Sequence, residues 1–276
     1  MRTALPYLAG GVELALALAG AVLLWRIALS PAARSRPAAS PLAAWETPMS
    51  DFLTYLLFVV GSSLVAAVAA GRIAHYVPLR GDEVTVFTGA AAQLGMLAGI
   101  GGYRALVERA ALVAPKFGAG APAAGAVTFL VSLPILIATA KVWEYLLQLC
   151  GLPTEKQDLI GMFANAKSPL MLFVMITLAV IIAPLTEELV FRAGLFRYFR
   201  TRLPRWAALL LPAFFFAALH VNWTTLQGLS SFAPLVVLAM IFSLAYERTG
   251  RIGTAIVAHG LFNLNTVLLI FSGVGV

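Results

Sequence analysis

Residues 168–192 read SPLMLFVMITLAVIIAPLTEELVFR, and this stretch decides the fold. From Pro169 to Leu185 the only polar side chain is Thr177. A helix needs about 20 such residues to cross the hydrocarbon core of a bilayer. The same run then carries Glu187, Glu188 and Arg192 before it ends. A membrane segment holding charges is costly, so the stretch specifies a spanning helix and marks it as functional.

Working outward, similar apolar blocks occur at 5–25, 52–71, 86–103, 122–140, 206–223, 231–246 and 253–272, which with 168–190 makes eight. Of the 276 residues 61% are hydrophobic and 11% charged, too few charges to cover a soluble domain of this size. The expected fold class is therefore all-α, a polytopic membrane helix bundle of about eight transmembrane helices. The first block is longer than the apolar core of a signal peptide and runs into Leu24-Trp25-Arg26 without a cleavage site, so it reads as a retained helix. Glu13 inside it is expected to face a partner helix. Cys150 is the single cysteine, which excludes an intramolecular disulfide and a cysteine metal cluster.

The net charge of +7 invites comparison with nucleic-acid binders, but its distribution argues otherwise. Counting loops between the eight blocks, the odd ones hold 13 of the 19 Lys and Arg: Arg26, Arg34, Arg36, Arg104, Arg109, Lys116, Arg192, Arg197, Arg200, Arg202, Arg205, Arg248 and Arg251. The positive-inside rule places these loops in the cytoplasm and both termini outside, so the charge encodes topology and no nucleic-acid partner is expected. The chain divides into residues 1–150, with four helices and a Pro/Ala-rich surface linker at 27–50, and residues 151–276, which open on the polar break 151–167. Lys141 and Glu144, three apart at the end of the fourth helix, are expected to pair.

Three clusters in the second half need an internal partner or a task, because each ionisable group costs roughly 2.5–3.5 kcal/mol at mid-bilayer. The first is Glu187-Glu188 with Arg192. Glu188 and Arg192 are four apart and share a helix face, whereas Glu187 points about 100° away. Glu188 can thus be neutralised within its own helix while Glu187 cannot. The second is Phe216-Ala217-Ala218-Leu219-His220, and the third is His259-Gly260-Leu261-Phe262-Asn263, whose polar residues share one face. His75 sits at a helix end and Asn265 points away from Asn263.

Glu187 and His220 lie almost symmetrically about the turn Arg202-Leu203-Pro204. At 1.5 Å rise per residue each is roughly 25 Å from it, which makes them level across an antiparallel pair. His259 lies about ten residues from the turn between Arg248 and Arg251, and it reaches a similar depth because the arginine-rich tip of the Arg202-Leu203-Pro204 hairpin projects beyond the bilayer. The polar groups converge on one intramembrane pocket, read as opening toward the cytoplasm. A lone histidine in a membrane helix is as often a helix–helix hydrogen-bonding group as a catalytic one, so the set carries the reading and no single member does.

The ordered set E-E-x-x-x-R, F-x-x-x-H and H-x-x-x-N on successive membrane helices resembles the CPBP family, which includes the CAAX prenyl proteases and the bacteriocin-processing (ABI) proteins. The match covers roughly residues 165–270. It implies an intramembrane endopeptidase in which Glu187 activates water, His220 helps hold that water, and His259 and Asn263 donate to the oxyanion, with Glu188 and Arg192 supporting the site. The family also carries a metalloprotease label, under which Glu187, His220 and His259 would hold zinc. No H-E-x-x-H is present, so glutamate-dependent hydrolysis without a required cofactor is favoured. The partners implied are a peptide or protein substrate and the lipid bilayer of the cell membrane. A non-proteolytic scaffold or immunity factor stands as the alternative. A transporter is disfavoured by the lack of an internal repeat.

Overall fold

A computed structural model describes residues 5–35, 40–79, 81–107, 116–153 and 168–273. Arg36, Arg109 and residues 154–167 of the polar break lie outside the described residues. Among those described the chain forms no strand, and eight helices account for most of it. They are α1 (Leu5–Leu29), α2 (Met49–Ala74), α3 (Gly81–Leu106), α4 (Ala121–Leu149), α5 (Pro169–Arg202), α6 (Arg205–His220), α7 (Phe232–Thr249) and α8 (Ile252–Ser272). Seven are long and apolar enough to cross a membrane, α7 together with the tight turn leading into it. The eighth, α6, is a shorter apolar helix. The chain is a multi-pass membrane bundle. Large apolar side chains such as Leu57, Leu64, Val65 and Phe173 project outward, as expected where lipid replaces water as the solvent.

Helix ends depart from the apolar blocks for local reasons. α4 runs on to Leu149, so the Lys141–Glu144 pair, closed at 2.9 Å, sits within the helix rather than at its end. α5 begins at Pro169 behind Ser168, whose hydroxyl accepts from the Met171 amide, and continues through the charged residues to Arg202. Leu203 is extended and Pro204 starts α6, which makes the expected hairpin turn. α6 stops at His220 because Val221 turns to an extended backbone.

The odd loops meet at one end of the bundle. Arg248 donates to Ile27 O, the Ile252 amide to Lys116 O at 2.9 Å, and Ser40 Oγ to Glu247 O at 3.1 Å. Glu247 in turn holds Arg200 and Arg205, each at 2.7 Å. The segment 40–48, expected to be a surface linker, is a strap across this end. Arg197 donates to Ala43 O at 2.8 Å, Arg202 to the Trp45 and Thr47 carbonyls, and the Trp45 amide to Thr201 Oγ1. Its non-helical carbonyls have no ladder of their own, and the arginines supply the donors. Trp45 is buried edge-on against Phe52, Tyr55 and Tyr198.

α3 lies close against α2 through glycines. A Cβ on Gly99 would stand 2.3 Å from Phe58 O and one on Gly95 2.5 Å from Ser62 O, both backbone atoms that cannot step aside. Small residues are what let membrane helices approach this closely. Glu13 on α1 accepts from Asn265 Nδ2 of α8 at 3.0 Å, so the carboxylate faces a partner helix as expected.

Candidate active site

The site is built around an irregularity in α5. The helix widens to π geometry at Leu178–Ile182, returns to α form over Ala183–Glu188, and widens again over Leu189–Phe196. In the first wide turn the Ala183 amide bonds to Leu178 O. In that register Ala179 O would await the N–H of residue 184, which is Pro184 and has none. Asn263 on α8 fills the gap, its Nδ2 donating to Ala179 O at 2.7 Å. The proline thus explains both the kinked register and the docking of α8, and such wide turns are frequent at functional sites.

Glu188 and Arg192 form the expected pair at 2.8 Å, with 0% and 1% of their side chains exposed. The guanidinium also donates to Ala239 O at 3.2 Å and sits over the rings of Phe216 and Phe242, 4.7 and 5.4 Å from the centroids. Spacing alone did not reveal the second partner of Glu188, His259 Nδ1, which lies 2.8 Å from the same Oε1. A carboxylate oxygen can only accept, so Nδ1 carries the proton.

Glu187 faces the other way, as its 100° offset requires. Its Oε2 lies 3.5 Å from His220 Nε2 and 3.9 Å from His259 Nε2. The Nδ1 of His220 is committed as well, 2.7 Å from Phe216 O, a carbonyl that only accepts. Both imidazoles therefore have Nδ1–H engaged outside the pocket and Nε2 turned toward one carboxylate oxygen. Aromatic rings fix their planes: Phe216 stacks on His220 at 4.2 Å and Phe242 on His259 at 5.1 Å. Asn263 stands one turn beyond His259, with one of its two amide hydrogens used on Ala179.

The structure thus brings Glu187, Glu188, Arg192, His220 and His259 into direct contact, with Asn263 beside them. The open edge is that of His220, whose side chain is 35% exposed against 13% for Glu187 and 5% for His259. Sequence reasoning missed Phe242 and Gln93. Phe242 is one aromatic among many in an apolar helix and gives no signal. Asn222, Trp223, Thr224 and Thr225 are exposed beyond the end of α6.

A zinc ion held by this set would need three donors about 2.0–2.2 Å from a common point. Among the described residues no group of three or more His, Cys, Asp or Glu is disposed to hold a metal ion. No step below goes through a metal.

Comparison with known proteins bears on the same segment. Residues 169–265 match the family model described as type II CAAX prenyl endopeptidase Rce1-like, and all six site residues lie inside that range. The match is consistent with the CPBP family that the motifs resemble. A stretch of 94 residues is also 34% identical to UPF0177 protein YbdI of Lactococcus lactis subsp. lactis (strain IL1403). That match covers 34% of this chain and 46% of the relative, so the chain spans about half the length of the curated protein it matches. No solved structure matches. The CPBP-like segment therefore lies within α5 to α8, and α1 to α4 lie outside it.

Proposed function

We propose that the protein is an intramembrane endopeptidase whose CPBP segment hydrolyses a peptide bond with water activated by Glu187. The observation that carries this is the convergence of two Nε2 atoms, each with its Nδ1 already bonded elsewhere, on Oε2 of Glu187. A neutral His220 protonated at Nδ1 has a lone pair at Nε2. One water can then donate one hydrogen to His220 and the other to Glu187, leaving its oxygen lone pair free for a carbonyl carbon. As the C–O bond forms, the proton passes to Glu187 and negative charge gathers on the carbonyl oxygen. Nε2 of His259, when it carries a proton, donates there, and the remaining Asn263 amide hydrogen is the second donor. Breaking the C–N bond returns the proton from Glu187 to the leaving amine. Glu188 and Arg192 hold His259 in place and meet no substrate.

The arginine-rich end, where the four odd loops meet, is assigned to the cytoplasm and both termini to the opposite side. Cys150 follows the far end of α4 and is an exposed free thiol. A membrane-impermeant maleimide added outside whole cells is expected to label it, and protection until the membrane is permeabilised would reverse the orientation.

The activity is tested with purified protein and a library of internally quenched peptides, comparing wild type with His220→Ala, each with and without a chelator. Cleavage is expected in the wild type, resistant to the chelator and reduced about 100-fold or more in His220→Ala, as for loss of a group that places the reacting water. Loss of wild-type cleavage in chelator would replace carboxylate catalysis with metal catalysis. Function in cells that survives loss of both Glu187 and His220 would favour a scaffold.

A further inference from the structure

Gln93 on α3, a residue outside the CPBP segment, is in contact with the reacting carboxylate. Its Nε2 lies 3.4 Å from Glu187 Oε1, the oxygen that the histidines do not face. Its Oε1 accepts from Thr186 Oγ1, the residue immediately before Glu187. The chemistry fixes the orientation of the amide. A carboxylate accepts only, so the NH2 must face Glu187, and the carbonyl is then left for the Thr186 hydroxyl. Thr186 is completely buried, and its oxygen also lies 2.9 and 3.0 Å from the Ile182 and Ala183 carbonyls. A hydroxyl has one proton to give, and the Ile182 and Ala183 carbonyls already accept from the helix backbone, whereas the Gln93 carbonyl has the Thr186 hydroxyl as its donor.

We infer that Gln93 is a positioning residue: it clamps Glu187 Oε1 through a Thr186–Gln93–Glu187 chain, so that Oε2 is held against His220 and His259. The inference rests on the hydrolytic reading of Glu187 given above. The backbone placement suits the task. Gly95 lies about 200° around the helix from Gln93, so α3 packs on α2 by its glycine face and presents Gln93 to α5 by the other. Because α2 holds α3 at backbone contact, the amide approaches the carboxylate from a rigid support. A glutamate side chain has three rotatable torsions, and a single donor on Oε1 removes the freedom of the carboxylate to turn away from the water. The first half of the chain thereby completes the site of the second.

The test uses the full chain and one quenched peptide cleaved by the wild type. Gln93→Leu removes the donor and Gln93→Glu keeps the shape while offering only an acceptor or a like charge. Both are expected to lower kcat on the order of ten-fold or more with KM within about two-fold, the pattern of an interaction that orients the base rather than binds substrate. Thr186→Ser, which keeps the hydroxyl, is expected to retain kcat within about two-fold, whereas Thr186→Val falls with Gln93→Leu and adds little to it in the double variant. A role confined to packing would move the melting temperature and leave kcat of the folded fraction intact, and that result overturns the inference. So does a rise in KM at constant kcat in Gln93→Glu. If Glu187→Ala itself keeps wild-type activity, the hydrolytic reading fails first. If Glu187→Ala is inactive and Gln93→Leu is normal, only the clamp fails.

Discussion

Glu187→Gln is expected to lower kcat by about 100- to 10,000-fold, the usual contribution of a general base. The substitution keeps the size and hydrogen-bonding reach of the side chain but removes the proton acceptor. An amide at Oε2 would also turn a donor or a non-basic oxygen toward His220 Nε2, 3.5 Å away, so the water loses one of the two groups that hold it. Folding is expected to survive, because the buried pair that closes the bundle here is Glu188 with Arg192 and not Glu187. The check is kcat beside a thermal melt in the same detergent. A melting temperature close to wild type with cleavage gone separates chemistry from stability.

The second large effect concerns Arg192. Arg192→Met is expected to destabilise the protein by about 3–5 kcal/mol, the cost of leaving one member of a buried ion pair without its partner. Glu188 is wholly buried, and its Oε1 would retain only His259 Nδ1. Ala239 O would lose a donor, and the faces of Phe216 and Phe242 would lose the guanidinium lying over them. These rings also flank His220 and His259, so activity is expected to fall with stability. Combining Arg192→Met with Glu188→Gln removes both charges and is expected to recover part of the melting temperature. Equal melting temperatures for Arg192→Met and wild type would show that the pair does not hold the helices.

Much of this arrangement is legible in the sequence because helices are periodic. The four-residue spacing sets Glu188 against Arg192, and the near symmetry of Glu187 and His220 about Arg202–Pro204 places them level. Both follow from rise and rotation per residue. The contacts that escape are those set by helix rotation and by local register. The resemblance implies His259 as an oxyanion donor and says nothing of its other nitrogen; Nδ1 turns to Glu188, and only the packing angle of α8 decides that. The bond from Asn263 to Ala179 depends on a wide turn followed by Pro184. A proline in an apolar run signals an orphaned carbonyl without saying which side chain will reach it. Gln93 sits in an apolar helix nearly a hundred residues upstream and has no periodic partner. Trp45 lies in a Pro/Ala-rich stretch whose composition reads as exposed, yet arginines from the α5–α6 hairpin bind the backbone around it and carry the indole inward. Composition reports what a segment lacks by itself, and these donors come from elsewhere.

The most direct measurement is cleavage of one quenched peptide, followed by mass spectrometry of the products, by wild type and Glu187→Gln purified in parallel and shown to melt alike. The arrangement of Glu187, His220 and His259 predicts two defined fragments summing to the peptide plus one water from the wild type, and intact peptide from the variant. Equal cleavage by both proteins, or none by folded wild type across the library, would contradict it.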